Sequence, residues 1–241
     1  MNQFSRTELL WGAAGAARLR RARVALFGVG GVGGYVAEAL VRSGLGAIDL
    51  FDNDDVSLTN LNRQIIALHS TLGRAKVDVM AERLRDINPD AQVTVHRMFY
   101  LPDNAEQVDL SVYDYVVDAV DTIAAKMELV LRAQACGTPI ISAMGAGNKL
   151  DPSRLAIADL YKTSVCPLAR IMRAELRKRG VKRLTVAYST EPPVPAQAEA
   201  EEQPTAARRS VPGSAVFVPA AMGLMMAAHV ARALAEGGDG A

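Results

Sequence analysis

Seven residues, Gly28-Val-Gly-Gly-Val-Gly-Gly34, place five glycines between two apolar segments. Arg23-Val-Ala-Leu-Phe27 ahead of them reads as a buried strand, and residues 35–43 behind them as an Ala/Val/Leu helix closed by Gly44. Ala47-Ile-Asp-Leu-Phe51 is the next strand, ending on Asp52. Strand, glycine turn, helix and strand within about 30 residues make a βαβ unit, which carries a right-handed crossover and a parallel sheet.

The rest of the chain continues the pattern. Residues 73–88 hold Val77, Met80, Ala81, Leu84 and Ile87 at helical spacing, with Pro89 as the stop. Residues 92–97 alternate like a strand, 115–120 form a short apolar strand, 123–135 a helix and 138–142 a strand. Residues 155–160 and 184–188 read as further strands flanking a helix over 167–179, which has proline in its first turn. A leading helix or turn is expected over 4–20, the helix weakened by Gly12 and Gly15, and a closing helix over 214–235 through Val218, Met222, Met225, Met226, His229, Val230 and Ala233. The expected fold is α/β: a doubly wound, Rossmann-like, mainly parallel sheet with helices on both faces, a C-terminal extension of strands and a docked helix. The expected unit is one domain over 1–241. Within it, residues 190–213, with Pro192, Pro193, Pro195, Pro204 and Pro212 among Ala and Glu, are expected to form a mobile loop.

Composition narrows the class. Half of the 241 residues are hydrophobic and 22% are charged, as in a globular protein and unlike a disordered or disulfide-stapled one. Net charge is +1, so overall charge gives no argument for nucleic acid or membrane, and only a local basic face can. No apolar leader follows Met1, and the two cysteines make no framework, so a reducing cytoplasm is the expected compartment. The longest apolar run, 215–228, is interrupted by Pro219 and Gly223 and falls short of the ~20 residues of a membrane span. It reads as a buried helix, with no span expected.

Gly28, Gly30, Gly31 and Gly33 let backbone N–H groups approach phosphate oxygens at a helix N-terminus, where the dipole favours anions. Asp52 stands where a carboxylate accepts both hydroxyls of a ribose. These features alone fit a nicotinamide dehydrogenase equally well. Asp54, Asp55, Thr59-Asn-Leu-Asn-Arg-Gln64, Lys76 and Asp118-Ala-Val-Asp121 then add cations, an amide cluster and a carboxylate on loops at the carboxyl ends of successive strands. Hydride transfer has no need of that set, whereas ATP cleavage does: cations neutralise charge developing on phosphates, and a carboxylate holds Mg²⁺.

Together, Gly28-x-Gly-Gly-x-Gly33, Asp52-x-Asp-x-Val56, Asn60-Leu-Asn-Arg-Gln64, Lys76 and Asp118-Ala-Val-Asp121 resemble the ubiquitin-activating-enzyme-like adenylyltransferase superfamily, of the ThiF type. Residues 73–89 and 144–152, with Asp159-Leu-Tyr-Lys-Thr163, are similar to its tRNA threonylcarbamoyladenosine dehydratases. The resemblance implies that Gly28, Gly30, Gly31, Gly33, Asp52, Asp54, Asn60, Arg63, Gln64 and Lys76 line an ATP. Asp52 would hold the ribose. Asn60, Arg63 and Gln64 would grip the phosphates, Lys76 would stabilise the α-phosphate and departing pyrophosphate, and Asp121 would bind Mg²⁺. Arg6, in an Arg-x-x-Leu-Leu segment, would reach across a homodimer to the partner's ATP. Simpler readings stay open: Arg63 and Lys76 as solvated charges, Asp121 as a helix cap, Arg6 as a surface arginine.

The chemistry implied is of adenylyltransferase or ligase type. The carboxylate of threonylcarbamoyladenosine in tRNA attacks the ATP α-phosphate, becomes an acyl adenylate and cyclises with loss of one water. The alternatives are adenylation of the C-terminus of a ubiquitin-like sulfur-carrier protein and a nucleotide-binding interaction module. Members that activate carriers usually hold zinc on two Cys-x-x-Cys pairs, which this chain lacks, so no zinc is expected. A monovalent cation, and a sulfur-transfer or carrier protein as partner, stay open. Cys136 reads as a small core residue of a helix, and Cys166, at a predicted helix start, as structural or as a low-pKa thiol. A tRNA substrate asks for a basic face, and Arg170, Arg173, Arg177, Lys178, Arg179, Lys182 and Arg183 offer one, with Arg170, Arg173 and Arg177 opposite Leu168, Ile171, Met172 and Leu176. A solvated outer helix face explains the same pattern.

Overall fold

The computed structural model describes residues 2–195 and 212–237. Its elements in chain order are α1 (Ser5–Arg21), β1 (Arg23–Phe27), α2 (Gly33–Arg42), β2 (Ala47–Phe51), α3 (Lys76–Ile87), β3 (Gln92–His96), β4 (Tyr115–Asp118), α4 (Ile123–Cys136), β5 (Ile140–Ala143), β6 (Leu155–Asp159), α5 (Pro167–Lys178), β7 (Thr185–Ser189) and α6 (Phe217–Glu236). The strands form one sheet in the order β3-β2-β1-β4-β5-β7-β6. Every pair is parallel except β6 with β7, so the C-terminal strands extend the doubly wound sheet and finish it with one antiparallel edge.

Strand alternation fills both faces. Val24, Leu26, Ile48, Leu50 and Val117 point into a core closed by Leu40 of α2, Met80 and Leu84 of α3, and Met222 and Met226 of α6. Ala25, Phe27, Phe51 and Val116 point the other way, against Leu129 and Ala133 of α4. Val186 and Tyr188 of β7 pack with Met172 and Leu176 of α5. Each large side chain so buried contributes about 1.5–3 kcal/mol. The apolar run expected to fall short of a span lies in α6, which at 20 residues is long and apolar enough to cross a membrane by length and composition, with half of its most apolar window buried in the fold.

Register sets up the site. Phe27 pairs with Phe51 on one side and with Asp118 on the other, so β1, β2 and β4 end level. The segments that follow them emerge side by side, where the strand order switches direction and α/β sheets open a crevice.

Several expectations shift. Helix α3 begins at Lys76, because residues 73–75 are occupied by a positive-φ turn at Gly73 and a bridge between Asp55 and Ala75. Cys136 is exposed, at the last turn of α4, where the helix axis has run past the core. Ile171 is exposed too: α5 buries only Ala169, Met172 and Leu176 among its apolar positions, a narrower stripe than the pattern suggested. Of the expected loop over 190–213, residues 196–211 lie outside the described residues. Its described ends are held at Asn148, whose carbonyl accepts from Val194 N at 2.8 Å and whose Oδ1 accepts from Gly213 N at 2.7 Å.

Candidate active site

The turn after β1 closes only with glycine at two places. Gly28 has φ +89, and a Cβ there would stand 2.6 Å from the carbonyl oxygen of Ala119. A Cβ on Gly33 would overlap the carbonyl oxygen of Gly28. The chain therefore passes tightly against the segment after β4 and enters α2, whose Gly34 and Tyr35 amides donate to the Gly30 and Val32 carbonyls at 3.0 and 3.1 Å, so that the turn amides ahead of them are the ones that can meet an anion. Asp52 holds this turn from β2: its Oδ2 accepts from Val29 N at 2.7 Å and its Oδ1 from Asp54 N at 2.9 Å. Each oxygen keeps a lone pair for a further donor.

Residues 57–64 fold over the turn as a short helical loop. Asn60, buried, accepts from Ser57 N at 3.1 Å through Oδ1, and its carbonyl receives Gln64 N at 2.9 Å. Asn60 thus shapes the loop from within. That loop sets Gln64 and Arg63 beside the glycines: Gln64 Nε2 lies 3.8 Å from where a Gly30 Cβ would be, and Arg63 Cγ 3.4 Å from that of Gly31. Arg63 donates to the Thr59 carbonyl at 2.8 Å and to Asn62 Oδ1 at 3.0 Å. Gln64 is buried, and its Oε1 has no hydrogen-bond partner among the described residues. A buried amide oxygen left open in this way suits a site that a polar ligand completes.

Lys76 is no solvated charge. It is the first residue of α3, buried, with Nζ 2.7 Å from Asp54 Oδ2 and its own N–H donating to the Asp54 carbonyl at 3.0 Å. Asp121 lies exposed in the turn between β4 and α4, and the helix cap is Thr122 rather than Asp121. Beneath that turn is a cluster that the sequence reading missed. Asp118 accepts Lys126 Nζ at 3.1 Å on both oxygens, Val120 N at 3.2 Å, and the Ser142 hydroxyl. Lys126 also donates to the Ala143 carbonyl at 2.7 Å. The one signal for it is a lysine among the core-facing positions of α4, eight residues after Asp118.

Arg6 stands apart. Phe4 packs on Gly44, just past the C-terminal end of α2, and Gln3 Nε2 donates to Asn88, just past that of α3. The glycine turn and Lys76 sit at the N-terminal ends of the same helices, about 15 Å away along α2. Arg6 is therefore not brought to the site of its own chain. Beside it Leu9 and Leu10 are 86% and 82% exposed. Cys166 is buried at the cap of α5, with Sγ 3.7 Å from the Cβ position of Gly145. Lys149 is buried nearby and donates to the Glu191 carbonyl, and desolvation lowers its ammonium pKa.

Arranged around one crevice, then, are a glycine anion turn, an unsaturated carboxylate, a buried ammonium, a guanidinium and an exposed carboxylate, a set able to bind a nucleoside polyphosphate and neutralise a leaving group. Comparison with known proteins agrees. The ThiF family matches residues 4–240. A tRNA threonylcarbamoyladenosine dehydratase of Bacillus subtilis is 44% identical over 237 residues, 95% of this chain and 93% of that protein. The solved structure of the Escherichia coli tRNA N6-threonylcarbamoyladenosine dehydratase in complex with ATP is 36% identical, with a TM-score of 0.87, covering 98% of this chain and 94% of that one. Its complex with AMP gives a TM-score of 0.89 over the same shares.

Proposed function

This chain belongs to the ThiF family, and on that premise we propose that it is an ATP-dependent dehydratase that cyclises N6-threonylcarbamoyladenosine in tRNA through an acyl adenylate. The convergence of Lys76, Arg63, Gln64 and Asp52 on the glycine turn carries this reading, in a chain that is 44% identical to a dehydratase along nearly its whole length.

The amides of the glycine turn and the Asp52 carboxylate hold ATP by its phosphates and ribose. Arg63 and Gln64, on the loop over the turn, fix the phosphate chain, and the open Gln64 Oε1 takes a donor from the bound substrates. The threonyl carboxylate attacks the α-phosphorus, a P–O bond forms, and the bond to the β-phosphate breaks. Lys76 neutralises charge on the α-phosphate and the leaving pyrophosphate, from a buried position that keeps its ammonium poorly hydrated. The carbamoyl group then attacks the acyl carbon and AMP leaves, for a net loss of one water from the nucleoside. The nucleophile is already tethered to the acyl carbon, so the protein's work is positioning.

Asp121, exposed in the turn between β4 and α4, would hold Mg²⁺, which would supply further neutralisation of the phosphates. One exposed carboxylate completed by substrate phosphates is an oxygen donor set of the kind that Mg²⁺ takes. We take the active unit to be a homodimer in the cytoplasm, with Arg6 serving the partner's site; in support, its neighbours Gln3 and Phe4 lie at the C-terminal ends of α3 and α2, away from the glycine turn. The protein is to be incubated with ATP, Mg²⁺ and threonylcarbamoyladenosine-bearing tRNA, and the digested nucleosides weighed. A nucleoside lighter by one water, with stoichiometric AMP, is expected. An unchanged nucleoside, with pyrophosphate exchange that depends on an added carrier protein, overturns the reading.

A further inference from the structure

Residues 160–184 carry eight cations against a single acid, Glu175, in a chain whose net charge is +1. The structure divides these cations into two groups. Arg173 donates to the Thr163 carbonyl at 3.0 Å and to its hydroxyl. Arg177 stacks on Tyr161, 5.3 Å from the ring centre, and the Tyr161 hydroxyl donates to the Val181 carbonyl. Lys178 and Arg179 are both spent on Glu175, at 2.7 and 2.9 Å. Arg173 and Arg177 hold segment 160–163 to α5, and Tyr161 ties segment 181–183 to the same face, whereas Lys178 and Arg179 share one carboxylate at the end of their own helix. Lys162, Arg170, Lys182 and Arg183 are exposed on or beside that face and have no side-chain partner among the described residues.

The face begins one strand away from the crevice. Its helix starts at Cys166, packed against Gly145 in the turn after β5, and β5 is the neighbour of β4, which ends at Asp118. From Arg170 to the end of α5 it runs about 12 Å, and it continues through Lys182 and Arg183. Its far end is tied to α4 by Gln134 Nε2 on the Arg183 carbonyl at 2.8 Å. Fixed spacing and unspent charge along a stiff surface match a polyanion of regular shape.

We infer that Lys162, Arg170, Lys182 and Arg183 form the surface on which the sugar-phosphate backbone of the tRNA docks while its modified base enters the crevice. This rests on the dehydratase reading above. It assigns the docking charge within the basic segment: the free cations hold RNA, and the paired ones hold the protein.

Two double variants remove the same charge and test this. Arg170→Gln with Lys182→Gln removes two free cations, and Lys178→Gln with Arg179→Gln removes two paired ones. In steady-state dehydration of threonylcarbamoyladenosine-bearing tRNA, the first should raise KM for tRNA about tenfold with kcat and ATP affinity held. It should also flatten the dependence of log affinity on log salt by about 1.5, at ~0.7–0.9 per lost phosphate contact. The second should stay within about twofold of wild type. Equal effects from both pairs, or none from the first, overturn the surface. So does capture on anionic lipid vesicles that the first pair abolishes while tRNA turnover is unchanged. A wild type that binds ATP yet leaves the nucleoside unchanged overturns the dehydratase reading, and this surface with it.

Discussion

Lys126 Nζ lies 3.1 Å from both carboxylate oxygens of Asp118, with Lys126 1% and Asp118 0% exposed, directly below the turn that carries Asp121. A buried pair of this kind stabilises little against apolar replacements, but removing one partner strands the other. Its visible work is geometric: Asp118 fixes Val120 N, and so the path of residues 119–122. Lys126→Met should destabilise the fold by about 3–5 kcal/mol in urea denaturation. Lys126→Met combined with Asp118→Asn should recover part of that loss. A single variant as stable as wild type would contradict the pairing.

Gly33→Ala has no room for its methyl beside the Gly28 carbonyl, so the turn must move. We expect ATP binding to disappear in calorimetry while α2 persists. Gly137→Ala is the control: φ +76 strains the residue, but the space there is open, so a cost of about 1 kcal/mol without effect on ATP is expected.

Lys76→Met keeps the length of the side chain and removes its charge. Because Asp54 is largely exposed, stability should change little, whereas the rate of pyrophosphate exchange with the tRNA substrate should fall about 10²–10³-fold. Arg63→Ala should act in the same direction and weaken ATP binding as well. Full activity in either would remove that residue from the proposed site.

His229, half-buried with its ring edge-on to Tyr115, has its pKa lowered from 6.5 by burial and by Arg232. A folded pKa below the unfolded one means that its contribution is intact above about pH 6.5 and is lost as pH falls through the folded value. Stability should therefore fall as pH drops below about 6.5, and His229→Leu should shrink that fall. An unchanged pH profile in the variant would show that His229 does not set it.

Arg6→Ala and Arg63→Ala should each be inactive alone. If Arg6 serves the partner, mixing the two and allowing exchange should restore about a quarter of wild-type activity, since half the dimers are mixed and each has one intact site. No recovery after verified exchange would place Arg6 outside the reaction.

The glycine turn, Asp52 and the strand and helix periods are local in sequence, and from them the doubly wound sheet and the place of a nucleotide crevice were legible, while the lining proposed for it came from the family resemblance. Hydrophobic alternation and steric demand at glycine act over a few residues, so a linear reading captures them. What needed the tertiary structure were relations across the chain. For Lys76 and Arg63 a solvated charge stayed open as an alternative until Asp54, 22 positions from the lysine, and the Gly31 position were seen against them. Beyond its core-facing position, Lys126 carries no signal in the sequence of its place between Asp118 of β4 and the Ala143 carbonyl of β5. The basic run of α5 was one undivided charge until folding spent some of its members on Tyr161, Thr163 and Glu175. Periodicity reports which face of an element is buried. Which charge meets which partner is decided by the packing of elements distant in sequence, and composition carries no record of it.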